Sequence, residues 1–187
     1  LFSCVVRRDK LKLVRSTVVL VLCFFVIFGS ACDGGGKRII TFPDPGLESA
    51  VRLYINKSIG NIYQSDLDRL TVLSASFNNI TDLDGIEYCT KLSTLFLSSN
   101  EISDISALSG LTNLSYLSLR SNQISDVGAL SGLTNLSNLW LDDNEISDIR
   151  ALTGLIGLTE LDLDFNKISD INALSGLTGL TELDLQF

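Results

Sequence analysis

From Leu70 onward, apolar side chains fall in an order that returns every 22 residues. A stretch such as Leu92-x-x-Leu95-x-Leu97-x-x-Asn100 introduces each unit, and the asparagine recurs as Asn78, Asn100, Asn122, Asn144 and Asn166. In Leu95-Phe96-Leu97 the alternation is that of a strand, with both leucines inward and Thr94, Phe96 and Ser98 on the opposite face. After the asparagine, Ile102, Ile105, Leu108, Leu111 and Leu114 follow at intervals of three, which predicts a 3₁₀-like or extended return rather than a long helix. Five full units start at Leu70, Leu92, Leu114, Leu136 and Leu158, and a fragment runs from Leu180 to Phe187. Each turn buries one apolar row, and successive strands stack at about 4.8 Å in a parallel sheet. The expected fold is therefore an α/β solenoid with its strands on the concave side.

Two polar positions fit that shape. The asparagines are expected inside, bonded to backbone groups of neighbouring turns that would otherwise be unsatisfied. Asp82, Asp104, Asp126, Asp148 and Asp170, each after Ser or Thr, are expected to cap the returning segment. This order is the leucine-rich repeat pattern. The fuller string from Asn100 through Ile102, Asp104, Ile105 and Leu108 to Leu111 resembles the 22-residue repeat of bacterial internalin-type proteins. That resemblance implies a horseshoe with a concave parallel sheet, a 3₁₀ or extended convex side and a helical cap before the first repeat.

Residues 42–69 supply such a cap. Asp44-Pro45 reads as an N-cap and an N1 proline, and Leu47, Ala50, Val51, Tyr54 and Ile55 share one helical face. A second helix start is expected at Ser65-x-x-Asp68. Together they resemble the cap that precedes internalin repeats. Cys89 takes the register of Leu111, Leu133, Leu155 and Leu177 and is expected to be a small buried hydrophobe. The repeat region, residues 70–187, stops where the next asparagine would stand, which reads as a truncated reading frame.

The amino-terminal segment has a different pattern. Arg7, Arg8, Lys10, Lys12 and Arg15 precede an uncharged run from Ser16 to Cys32 and the small residues Gly29, Ser30 and Ala31, the order of a secretory signal over residues 1–31. The run is slightly short of the roughly 20 residues that cross a bilayer, the alternative being an uncleaved anchor. Phe28-Gly29-Ser30-Ala31-Cys32 resembles the lipobox of bacterial lipoproteins, although Gly29 replaces the usual aliphatic residue. The resemblance implies lipid on Cys32 and a bacterial envelope location, inner or outer membrane unresolved; ordinary cleavage after Ala31 is the other reading. Gly34, Gly35 and Gly36 make residues 32–41 a flexible tether. With Cys4 and Cys23 in the signal and Cys32 lipidated, no disulfide framework is expected.

Composition narrows the function. The chain has 187 residues, no histidine and a net charge of -8. Residues 32–187 hold 9 basic and 21 acidic side chains, a field that repels nucleic acid. The lack of histidine removes serine- and cysteine-histidine catalysis and histidine-ligated metals. No phosphate-binding glycine pattern occurs, and the carboxylates lie in open register, so no enzyme activity, cofactor or metal is expected.

Outward strand positions, aligned by adding 22, form three columns. Val72, Thr94, Tyr116, Asn138, Glu160 and Glu182 make the first. Ser74, Phe96, Ser118, Trp140, Asp162 and Asp184 make the second. Ser76, Ser98, Arg120, Asp142, Asp164 and Gln186 make the third. Phe96, Tyr116 and Trp140 stand on successive strands and are candidate anchors for a protein partner. Arg120, Glu160, Asp162, Asp164 and Asp184 complete the candidate ligand-binding set, the acidic strands selecting a basic patch. The chain is expected to act as a monomer, held to the membrane through lipid on Cys32, and similarity to internalins suggests adhesion. Competing readings are a scaffold or fragment of a larger surface protein, and calcium or carbohydrate binding by the acidic strands.

Overall fold

The computed structural model describes residues 37–186. The expected signal over residues 1–31, Cys32 and the glycines expected to form a tether lie outside the described residues. Among the described residues no helix is long and apolar enough to cross a membrane.

The described residues open with a strand, β1 (Ile39–Ile40), within the stretch expected to be tether. It pairs antiparallel with β2 (Ile62–Tyr63), because Ile40 and Ile62 both bury their side chains in the cap. Between them lies helix α1 (Pro45–Tyr54), capped by Asp44 with proline at its start as the sequence predicts. Leu47, Ala50 and Val51 are buried, but Tyr54 is exposed. The apolar face stops short there because Tyr54 is the last helical residue and Asn56 turns left-handed, φ 53°. Asn56 N–H donates to Leu53 O and Lys57 N–H to Arg52 O, the paired bonds of a Schellman ending.

The second helix, α2, is one turn at Gln64–Leu67, and its cap differs from the expected Ser65–Asp68 pair. Asp66 accepts the Tyr63 N–H at 2.8 Å and pairs with Lys57 Nζ at 2.7 Å. Ser65 lies inside the helix, so it has no free first-turn amide to cap.

Asp44 does more than cap α1. Its Oδ1 accepts Gly46 N–H and Leu47 N–H, while Oδ2 accepts Thr81 N–H at 2.9 Å, Thr81 Oγ1 at 3.3 Å and Asp82 N–H at 3.4 Å. One carboxylate thus ties the cap to the first repeat. Gly46 permits the close approach, since a Cβ there would stand 2.3 Å from Asn78 O. Gly85, with φ 101°, similarly leaves room for Thr41 O and the Phe42 ring.

The repeats form a six-stranded parallel sheet in sequence order: β3 (Val72–Ser74), β4 (Thr94–Phe96), β5 (Tyr116–Ser118), β6 (Asn138–Trp140), β7 (Glu160–Asp162) and β8 (Glu182–Asp184). Every pair is in register at 22 residues, for example Leu117 with Leu139. The convex side carries short 3₁₀ turns, Ile86–Tyr88, Ser106–Leu108, Gly128–Gly132, Arg150–Gly154 and Asn172–Gly176. Asp104, Asp126, Asp148 and Asp170 each accept the N–H two residues on and so start the last four of these turns. Asp82 makes the same bond to Asp84 N–H, two residues before its 3₁₀ turn.

Ile102, Ile105, Leu108, Leu111 and Leu114 are buried as one row, and Cys89, one turn before Leu111 in the same column, is fully buried. Burial pushes the Cys89 thiol up to about 12, so it is a packing residue rather than a nucleophile. On the last layer Leu183 is 41% exposed, against 2% for Leu161 one turn earlier, because no described layer stacks on it.

Four of the five asparagines, Asn100, Asn122, Asn144 and Asn166, form an internal ladder, whereas the Asn78 side chain bonds only Ser76 O within its own turn. Asn144 Nδ2 donates to Leu119 O, Leu141 O and Asp142 O, and its Oδ1 accepts Ile124 N–H at 3.0 Å. Asn100, Asn122 and Asn166 repeat these contacts at the same offsets. The residue before each of the five asparagines is left-handed, Phe77, Ser99, Ser121, Asp143 and Phe165, with φ from 50° to 59°. The serine, aspartate and phenylalanine at that position carry no common sequence signal for it.

Two stability predictions follow from these bonds. Asn144→Ala should cost about 2–4 kcal/mol in urea unfolding because it strands buried amides, while Asn78→Ala, which loses one side-chain bond to Ser76 O, should cost about 1 kcal/mol or less. For Asp44, burial alone would raise the pKa, but N–H donors from Thr81, Leu47, Asp82 and Gly46 outweigh it and hold the carboxyl below its usual value. A depressed folded pKa gives stability above the unfolded value, about 3.9, that is lost as pH falls through the folded value. Acid unfolding of Asp44→Asn should lack this component, and the variant should be less stable than wild type at pH 7.

Candidate functional site

The concave columns are assembled by register. Phe96 pairs with Ser118, Ser118 with Trp140, and Trp140 with Asp162 across neighbouring strands. The three aromatic residues meet: the Phe96 and Tyr116 rings are 5.3 Å apart, and Tyr116 meets Trp140 edge-on at 4.5 Å and 85°. Such tilted contacts align ring edges with neighbouring faces. Ser118, small and set between Phe96 and Trp140 in its column, is buried and shares a 2.7 Å hydrogen bond with Ser98 Oγ. All three rings are half-buried, so they form a continuous apolar ridge rather than three separate side chains.

Beside that ridge the charges gather. Arg120 Nε stands 2.9 Å from Asp142 Oδ1 and 3.0 Å from Oδ2, with its hydrogen bond to Oδ2. Asp142 is only 6% exposed, and its Oδ1 is buried without a hydrogen-bond partner. Arg120 Nη2 lies 3.9 Å from Asp162 Oδ2. Asp162 accepts the Asp164 N–H at 3.1 Å, and Asp164 in turn accepts the Gln186 N–H. Burial, then the Asp142 and Asp164 carboxylates, push Asp162 up to about 6, against the Asp164 N–H bond and Arg120. Burial and the Glu160 carboxylate also raise the Tyr116 phenol, with Arg120 opposing.

Phe96, Tyr116 and Trp140 are therefore brought into contact, and Arg120 and Asp162 share one charged cluster. Asp164 joins it through the backbone, Glu160 lies at its Tyr116 side, and Glu182 and Asp184 occupy the exposed next strand. The sequence reading omitted Asp142 and Ser118 from the site. Asp142 was legible in one respect: it stands 22 residues after Arg120, so opposite charges face each other across adjacent strands. Ser118 carried no signal, since a serine in an outward column gives no sign that it is buried between Phe96 and Trp140.

The convex groove lined by Ser125, Asp126, Gly128, Asp148, Arg150 and Ala151 is shallow, and its Arg150 is paired with Asp148 through Nε at 2.9 and 3.0 Å. Among the described residues no group of three or more histidine, cysteine, aspartate or glutamate side chains is placed to hold a metal.

Comparison with known proteins matches the described repeats. The family described as Leucine Rich repeats (2 copies) covers residues 68–110 and 112–154, and the Leucine rich repeat family covers residues 134–187. Internalin H of Listeria monocytogenes is 37% identical over 85 residues, 41% of this chain and 16% of that protein. The solved structure of an internalin, inlF, from Listeria monocytogenes is 37% identical with a TM-score of 0.75, over 77% of this chain and 43% of that one. The chain thus spans less than half the length of either relative.

Removing Arg120 would strand the buried Asp142 charge. Arg120→Gln should cost about 1–3 kcal/mol in urea unfolding, less than a fully buried pair because the arginine is half exposed. Adding Asp142→Asn should recover most of that loss, which a double-mutant cycle reads directly.

Proposed function

We propose, because this chain belongs to the leucine-rich repeat family and its repeats are similar to those of internalins, that it is a protein-binding module whose concave face receives a protein partner. The observation that carries this reading is the joined ridge of Phe96, Tyr116 and Trp140 on a sheet whose other outward positions, Val72 apart, are polar. Aromatic side chains on a rigid surface give large contact area at low conformational cost and dominate interface energies. Glu160, Asp162, Asp164 and Asp184 lie on the later strands and favour a partner with a basic patch, while Arg120 marks the boundary between the two zones.

The finer reading is of an exported bacterial protein, cleaved after Ala31 and anchored by lipid on Cys32, that acts as a monomer in adhesion to a host or neighbouring cell. The basic and uncharged amino-terminal run and the lipobox-like residues before Cys32 support it. The acidic repeats argue against a nucleic-acid partner. No residue set in the concave face supports catalysis.

A second reading, that the repeats form a scaffold, is favoured by one observation. The three rings are half-buried against one another and so already satisfy part of their apolar surface.

A crosslinking pull-down from cell-surface and envelope extracts separates the two. Wild type should capture a partner that the F96A/Y116A/W140A variant loses, with circular dichroism confirming that the variant remains folded. Loss of even one hot-spot ring should weaken binding by about 2 kcal/mol, near thirtyfold. Recovery of the same proteins with both forms favours the scaffold.

A further inference from the structure

Two large apolar side chains stand in water at the end of the cap where the chain enters it. Leu53 and Ile59 are 77% and 82% exposed, at the end of α1 and in the loop that follows. Arg52 folds that loop back on the helix: its Nη1 donates to Lys57 O at 3.1 Å and its Nη2 to Gly60 O at 3.0 Å. Lys57 Nζ then lies 5.0 Å from the centre of the Tyr63 ring, and Lys37 Nζ lies 5.8 Å from the same ring, because β1 pairs with β2 there. Arg38 covers the Tyr88 ring at 4.4 Å and donates to its hydroxyl. Glu48 pairs with Arg52, and Asp66 is the carboxylate set against Lys57. Uncovered aliphatic residues beside lysine and tyrosine are the mixture that suits a bilayer surface.

Charge and chain length point to the same end. Residues 37–69 hold five basic and four acidic side chains, whereas residues 70–187 hold four basic and sixteen acidic ones. An anionic surface repels the repeats strongly and the cap not at all, so charge decides which end approaches it. Cys32 stands five residues before Lys37, a reach of at most about 17 Å of extended chain. With the uncharged run Ser16 to Cys32 held at a membrane, by lipid or as an anchor, the cap stays within that reach.

We propose that this end of the cap docks on an anionic phospholipid bilayer, with Leu53 and Ile59 entering the headgroup layer and Lys37 and Lys57 meeting lipid phosphates beside Tyr63. The docking rests on the membrane-held amino terminus read above and adds an orientation to it. A glycine tether alone leaves the solenoid free to turn, whereas a docked cap fixes one end. The acidic repeats then stand away from the surface, and the concave face stays open to a partner.

The test uses the full chain with vesicles of phosphatidylcholine alone or with roughly one-third phosphatidylglycerol, their acyl chains brominated to quench tryptophan on contact. Trp140 is the one tryptophan and reports the concave face in wild type; I59W/W140F moves the reporter to the cap. Quenching at position 59 should be at least about fivefold stronger in anionic than in neutral vesicles, the factor that one lysine is worth at such a surface. It should fall with added sodium chloride, while Trp140 in wild type stays unquenched. Adding K37E/K57Q should bring the anionic value down to the neutral one, with circular dichroism confirming the fold. Equal quenching in the two vesicles, indifference to salt, a K37E/K57Q variant that quenches like its parent, or quenching of Trp140 overturns the docking. So does a blue shift at position 59 that needs no lipid and grows with protein concentration, which marks a second copy on the patch. Flotation reads the anchor separately. A chain that floats with neutral vesicles but lacks charge-dependent quenching keeps its anchor and loses the dock; one that floats only with anionic vesicles loses the anchor and keeps the dock; one that floats with neither loses both.

Discussion

Each 22-residue turn carries backbone amides into a layer that water cannot reach, and the whole solenoid depends on satisfying them. The strands supply one ladder, but the chain reverses just after each strand and leaves carbonyls and N–H groups facing inward. A buried asparagine side chain has both kinds of partner within reach. Asn144 joins the carbonyls of two successive turns and accepts an N–H from the turn before, so it fixes the stacking distance as well as the bend. The left-handed residue in front of it turns the backbone sharply enough to point that amide inward, at a strain of about 1 kcal/mol where the residue is not glycine.

Regular stacking then determines what the concave face can be. Because register is 22 residues everywhere, side chains on neighbouring strands stand side by side, and residues remote in sequence become contacts. The same regularity stacks carboxylates in columns, where like charges cannot spread apart. The molecule relieves this in two ways, with Arg120 across from Asp142 and with a carboxyl that holds its proton more tightly than usual. Apolar ridge and acidic zone are consequences of one geometry.

The cap shows how the first layer is closed without a repeat. Helix α1 covers the open end, but helix packing alone would leave its orientation loose. Asp44 removes that freedom, since a single carboxylate caps the helix and accepts donors from the first repeat. Gly46 and Gly85 admit the close approach that this bond requires.

Sequence alone determined the repeat, its 22-residue register, the inward rows, the internal asparagines, the helix N-cap at Asp44 and the alignment of Phe96, Tyr116 and Trp140 in nearby columns. These are periodic or local properties, and periodicity in a solenoid translates directly into position. What the tertiary structure alone decided is which neighbours touch and how far they are removed from water. The tilt of the rings against one another, the burial of Ser118 and Asp142, the pairing of Asp142 with Arg120, the raised Asp162 carboxyl, the shift of the α2 cap to Asp66 and the tie from Asp44 to Thr81 all depend on distances between turns. A repeat pattern states which residues face the same way; only the packed layers set the desolvation and the hydrogen-bond partners that give those residues their chemistry.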